Sequence, residues 1–104
     1  MTAAIDRADV VDRLDETAVQ AIYRALGVAR FASGGPGDWL VSSPLRDDRR
    51  PSFTIRRADG VWRDHATGAS GSVFDAVMLA RGCAFPEALA FVAEHAGYRP
   101  MAPA

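Results

Sequence analysis

The chain has 104 residues, the size of one ordinary domain, and 49% of them are apolar. Its one cysteine, Cys83, excludes an internal disulfide and a multi-cysteine zinc site. No apolar stretch approaches the ~18 residues of a membrane span, and the N-terminus lacks the pattern of a signal peptide, so we expect a cytoplasmic protein with no membrane partner.

The charges are distributed unevenly along the chain. The net charge of −1 does not by itself indicate a nucleic-acid-binding protein. However, residues 39–63 carry six Arg against three Asp, whereas both flanking segments are net acidic. All twelve basic residues are Arg, whose planar guanidinium suits phosphate. A GC-rich genome would produce the same preference, so the composition leaves both explanations open.

Two helices are predicted at the N-terminal end. Residues 9–14 form a short one, and a longer one begins after Asp15, which is a suitable N-cap. The longer helix has an apolar face at helical spacing, formed by Val19, Ile22, Tyr23 and Leu26. Gly27 is placed to end it, and the Gly-rich residues 33–37 predict a loop.

The middle of the chain predicts a small antiparallel sheet. Strands are expected at residues 39–42, 52–57 and 61–65, because these segments are rich in β-forming residues, and residues 52–57 alternate between apolar and polar. Asp59-Gly60 is a hairpin signal between the last two strands. Residues 67–71 predict a second flexible loop.

The C-terminal part returns to helices. Ser72 and Asp75 form a capping-box pattern at the start of one helix, which Gly82 ends. Pro86 suits the start of another helix. The order of elements predicts an α+β domain over residues 1–98, followed by a tail or linker at 99–104.

Three segments carry a resemblance to a known family. Residues 43–53 read SPLRDDRRPSF, residues 60–75 read GVWRDHATGASGSVFD, and residues 85–89 read FPEAL. In order and spacing they resemble the N-terminal zinc-binding domain of DnaG-type bacterial and phage primases. That domain has Cys-Pro-x-His, Pro-Ser-Phe, Cys-x-x-Cys, a Gly-rich loop and a helix beginning Val-Phe-Asp. The resemblance covers about residues 39–97 and implies a zinc-ribbon-like sheet flanked by N-terminal and C-terminal helices.

The metal ligands of that family are missing from this chain. The resemblance places the four ligand positions at Ser43, Arg46, Asp64 and Thr67. Structural zinc sites require thiolate or imidazole groups, so we predict no zinc and no other cofactor. A ribbon without its metal needs another source of folding energy. An Arg46–Asp64 ion pair is one candidate, because it would join two of the four positions.

The resemblance also implies a nucleic-acid-binding surface, because the family uses basic and aromatic side chains of this sheet to recognise the template. The candidate residues are Arg46, Arg49, Arg50, Arg56, Trp62 and Arg63, with Trp39 as a second possible stacking residue. Trp62 and its neighbour Val61 face opposite sides of a strand, so Trp62 is exposed only if Val61 points inward. The alternative is a solvated face on which Asp47 and Asp48 neutralise Arg49 and Arg50.

The function implied is a non-catalytic module that binds single-stranded template DNA in a primase or primase–helicase during DNA replication. In the family, nucleotidyl transfer belongs to a separate acidic domain that holds metal ions. The expected partners are single-stranded DNA and a primase catalytic domain, polymerase or helicase. The alternative is a scaffold that docks onto a replication polymerase or helicase without binding DNA, through the acidic N-terminal helices. The chain would be part of a longer primase or a small protein of a phage or other mobile element.

Overall fold

A computed structural model describes residues 5–47 and 50–98. Helices at both ends of the chain flank an antiparallel sheet in sequence, which confirms the α+β class. The described elements are α1 (Arg7–Asp12), α2 (Glu16–Ala25), β1 (Ala32–Ser33), β2 (Asp38–Val41), β3 (Phe53–Arg56), β4 (Trp62–Asp64), β5 (Ser70–Gly71), α3 (Val73–Arg81) and α4 (Phe85–His95). The tail predicted at residues 99–104 lies outside the described residues.

Side-chain caps determine where the helices begin. Asp15 accepts a hydrogen bond from the amide of Ala18 at 2.8 Å, which confirms its prediction as the N-cap of α2. Helix α1 begins two residues before the predicted start, because Asp6 accepts from the amide of Ala8 at 2.9 Å. The capping box of Ser72 and Asp75 is present in both directions at the start of α3.

The sheet has the strand order β1-β2-β3-β4-β5, and every neighbouring pair is antiparallel. The three predicted strands correspond to β2, β3 and β4. The edge strands β1 and β5 were not predicted, because each has two residues and lies in or beside a glycine-rich segment assigned to a loop.

One face of the sheet forms the core with the helices. Trp39, Ile55 and Trp62 lie in register across the three central strands, and all are buried. The Tyr23 hydroxyl of α2 donates a 2.7 Å hydrogen bond to the carbonyl of Gly60 in the β3–β4 turn. Burial raises the pKa of Tyr23 well above its usual value. This bond attaches helix α2 to the central hairpin.

Helices α3 and α4 meet at a sharp bend. Within the described residues, no single helix is long and apolar enough to cross a membrane. The two helices meet that length and composition only when taken together, across a bend of 115°.

Candidate nucleic-acid interface

The side of the sheet opposite the core is called the outer face here. Strand alternation places on it Asp38, Leu40, Thr54, Arg56 and Arg63, all of them exposed or partly exposed. His65 continues this face beyond β4, and its Nε2 atom lies 3.0 Å from the Thr54 hydroxyl. The outer face is therefore a polar surface carrying two of the arginines that the sequence nominated.

Arg46 and Asp64 form the ion pair that the sequence predicted. The Arg46 guanidinium donates to both carboxylate oxygens, with Nε–Oδ2 at 2.9 Å and NH2–Oδ1 at 3.1 Å. It also donates to the Ser52 hydroxyl at 2.9 Å, and the amide of Ala66 donates to Asp64 at 2.9 Å. Asp64 is only 3% exposed, and hydrogen bonding from Arg46 holds its pKa below the usual value. This bidentate, charge-assisted pair ties the connection before β3 to the end of β4.

The other two ligand positions are occupied by hydroxyl side chains. Ser43 is buried and accepts from the amide of Leu45 at 3.0 Å, while Thr67 is exposed and accepts from the amide of Ala69 at 3.2 Å. Two hydroxyls, a guanidinium and one carboxylate do not fit a structural zinc ion. The described residues also contain no group of three or more His, Cys, Asp or Glu side chains that could hold a metal.

Trp62 does not lie on the outer face, so its assignment as a stacking residue is corrected. It is 2% exposed, its ring stacks on Phe53 with centroids 5.1 Å apart, and its indole N–H donates to the carbonyl of Ser72 at 2.9 Å. Its neighbour Val61 points outward and is 37% exposed. Trp39 is also buried, which removes the second possible stacking residue. Both rings belong to the hydrophobic core, where an aromatic side chain buries a large apolar area.

Arg56 is exposed, but its charge is compensated. Its Nε donates to Asp59 Oδ1 at 2.8 Å, and a second bond joins the same two side chains. Hydrogen bonding from Arg56 lowers the pKa of Asp59. Arg57 is engaged as well, because it lies over the Trp39 ring and donates to the carbonyl of Asp38 at 3.2 Å.

Of the candidate binding residues that the structure describes, Arg50 and Arg63 have positive charges that no carboxylate compensates. Both are exposed, and within residues 5–47 and 50–98 neither side chain forms a hydrogen bond or an ion pair. Asp47 forms no ion pair with Arg50 in the described structure. Arg49 and Asp48 lie outside the described residues, so their predicted roles stay predictions.

Sequence reasoning missed Arg30, which precedes β1. It is exposed and lines a groove together with Ala32, the end of β2 and Pro51. No motif marks Arg30, and its place beside the sheet depends on a strand that the sequence did not predict. The sequence gives only an indirect indication of Arg30, which follows the end of α2 and lies close in sequence to the predicted sheet.

No family model matches the chain. The chain is 28% identical over 91 residues to DNA primases of Neisseria meningitidis serogroup A and serogroup B. The match covers 88% of this chain but only 13% of the length of those primases. The chain is therefore similar to a small part of a replication enzyme, which points to a primase-related domain.

Proposed function

We propose that the chain is a metal-free counterpart of the zinc-binding domain of DnaG-type primases, and that it binds single-stranded template DNA without catalysing primer synthesis. The observation that carries this proposal is the Arg46–Asp64 pair. The family resemblance assigns metal ligands to both positions, and the pair joins them directly. It thus supplies a link between the same two segments that a shared metal ion would hold.

Two exposed arginines, one on the outer face and one in the connection before β3, support single-stranded DNA as the ligand. Arg50 and Arg63 are exposed and lack partners in the described structure, so their guanidinium groups are open to phosphates. Thr54 and His65 add hydrogen-bonding groups beside Arg63. The similarity to primases supports a template strand in particular. In this proposal, primer synthesis belongs to a separate catalytic domain, which would be a partner together with a polymerase or helicase.

The proposal is tested by fluorescence anisotropy of a labelled single-stranded oligonucleotide over a series of salt concentrations. Binding through Z phosphates weakens with a log–log slope of about −0.7Z for a single strand. We expect micromolar binding at low salt, and weaker binding with a shallower slope for an Arg50→Ala/Arg63→Ala variant. A folded protein that does not bind the oligonucleotide even at low salt would contradict the proposal.

A protein-docking scaffold is the second candidate. It is favoured by the burial of Trp39 and Trp62, which removes the expected stacking residues. The exposed acidic side chains at the N-terminal end, Asp9, Asp12 and Glu16, would form the docking surface. This function predicts salt-sensitive co-elution with a replication polymerase or helicase, in the absence of DNA binding.

A further inference from the structure

Each aromatic side chain of this chain is either buried or lies beneath an arginine. The five Phe, two Tyr and two Trp all lie within the described residues. The buried ones are Tyr23, Trp39, Phe53, Trp62 and Phe74. Within the described structure, none of these five rings offers a face to a nucleic-acid base.

Of the remaining aromatic rings, Phe85 is exposed and the others are partly exposed, and each has a guanidinium group over it. The pairs are Arg24 over Phe31 at 5.1 Å, Arg7 over Phe85 at 5.8 Å, Arg81 over Phe91 at 4.6 Å and Arg13 over Tyr98 at 5.6 Å. These distances are within the range of cation–π contacts. On each of these rings, a base could stack on the face beneath the guanidinium only by displacing the arginine.

The same contacts leave few arginines for a ligand. Most of the described arginines lie over a ring or are paired with a carboxylate, as Arg46 and Arg56 are. The described arginines without such a partner are Arg30, Arg50 and Arg63.

Arg30 and Arg50 lie near one end of the sheet, and Arg63 lies on the adjoining outer face. Arg30 and Pro51 line the groove at the end of β2, and Arg50 directly precedes Pro51. Leu40 belongs both to this groove and to the outer face, where it is in register with Thr54. Thr54 in turn pairs with Arg63. Adjacent strands are ~4.8 Å apart, so Leu40 and Arg63 are separated by ~10 Å.

Acidic groups lie mainly toward the β3–β4 turn, although Asp38 lines the same outer-face groove as Arg63. Asp38 pairs in register with Arg56, which is itself bound to Asp59. Near the arginine end, Asp47 is exposed in the connection that precedes Arg50, and Asp64 is buried and satisfied by Arg46. The unpaired charge at the arginine end is therefore predominantly positive among the described residues.

We infer that the chain holds single-stranded nucleic acid by its sugar–phosphate backbone and without base stacking, along a track from Arg63 across Leu40 to the groove beside Arg30 and Arg50. The inference rests on the proposed function and specifies its chemistry. Single-strand-binding proteins commonly combine a basic groove with aromatic stacking platforms. In this chain, exposed arginines are present, but the aromatic rings contact other parts of the protein. Its binding is therefore independent of base identity.

The test compares the affinity of an intact oligonucleotide with that of an abasic oligonucleotide of equal length. Each stacked base strengthens binding by about fivefold to more than a hundredfold. We expect the two affinities to agree within about threefold, because no base is stacked. A much weaker affinity for the abasic strand would overturn the inference and leave the proposed function standing. Absence of binding to both strands would overturn both.

Single substitutions locate the track. Arg30→Ala and Arg63→Ala are each expected to weaken binding and to make the salt slope shallower by about 0.7, the value for one phosphate contact. Arg13→Ala is the matched control, because it removes the same charge from above the Tyr98 ring on the helical side. We expect Arg13→Ala to change the affinity less than about twofold. An equal loss in all three variants would contradict the track.

Discussion

Asp64 is a carboxylate on the core side of the sheet, in register with the buried Phe53. A buried carboxylate is tolerated only when its oxygens are hydrogen-bonded and its charge is paired. Arg46 and the amide of Ala66 meet both requirements. The pair therefore satisfies a polar group that the strand alternation places inside, in the region where the family resemblance expects a metal.

Replacing Arg46 leaves the buried carboxylate without its partner. We expect Arg46→Met to lower the free energy of unfolding by about 1–3 kcal/mol, measured by urea denaturation. The loss should lie toward the lower end of this range, because the Arg46 side chain is 32% exposed and solvent screens the pair. Arg56→Met is the matched control, since solvent screens its exposed pair with Asp59 and the pair should contribute little to stability. Equal losses in both variants would contradict this role of Arg46.

The same pair makes stability depend on pH. The pKa of Asp64 is lower in the folded chain than in the unfolded chain, where it is about 3.9. Its contribution is therefore present above about pH 4 and is lost as the pH falls through the folded value. We expect stability to fall more steeply below about pH 4 in the wild type than in Arg46→Met, measured by urea denaturation at several pH values. If the free energies of unfolding of the two proteins changed in parallel with pH, Arg46 would not be the cause of the lowered pKa of Asp64.

Some residue roles could be predicted from the sequence and others could not. Asp15 and Ser72 each cap a helix through a hydrogen bond to the amide three residues later. Because this interaction is local in sequence, both caps were predicted correctly. The Arg46–Asp64 pair followed from the family resemblance. The orientation of Trp62 did not follow, because alternation fixes only that Val61 and Trp62 face opposite sides. The choice depends on distant partners, among them the carbonyl of Ser72 and the ring of Phe53.

At the scale of elements, the central hairpin is attached to α2 through the β3–β4 turn. Gly60 has a positive φ of 78°, and a Cβ there would lie 3.0 Å from the Val73 side chain, so this turn requires glycine. Its carbonyl accepts the buried hydrogen bond from Tyr23. The helix, the turn and the start of α3 therefore fit together around a position without a side chain.

Removing the Tyr23 hydroxyl tests this attachment. We expect Tyr23→Phe to lower the free energy of unfolding by about 1–3 kcal/mol, because the buried Gly60 carbonyl loses its donor. Tyr98→Phe is the control: the Tyr98 hydroxyl accepts a 3.3 Å bond from the amide of Asp6 at an exposed site, so its loss should cost less than about 0.5 kcal/mol. Chemical denaturation measures both. A Tyr23→Phe protein as stable as the wild type would contradict the attachment.

The two edge strands, β1 and β5, could not be predicted from the sequence. Residues 39–42, 52–57 and 61–65 carried enough β-forming residues to be recognised. Strands β1 and β5 have two residues each, and their sequences, Ala32-Ser33 and Ser70-Gly71, have no strand pattern. They exist because their neighbours β2 and β4 offer hydrogen-bonding edges, which is tertiary information.

At the scale of the whole molecule, the count of charges along the sequence overstates the positive surface. The six arginines of residues 39–63 suggested a broad basic patch. Among the described residues, Arg46, Arg56 and Arg57 are paired or packed, whereas Arg50, Arg63 and the more distant Arg30 have no charged partner. The unpaired positive charge of the described residues is therefore smaller than the sequence suggested and includes a residue from outside that segment.

The relation to zinc-binding primase domains is tested most directly by restoring the ligands. In the variant Ser43→Cys/Arg46→His/Asp64→Cys/Thr67→Cys, we expect one Co²⁺ ion to bind with the absorption bands of tetrahedral thiolate coordination and to stabilise the fold. The control keeps Ser43 and changes only the other three positions, so its binding should be much weaker. If the four-ligand variant binds Co²⁺ no better than the control, the four positions do not converge. The account of an ion pair in place of a metal would then be wrong.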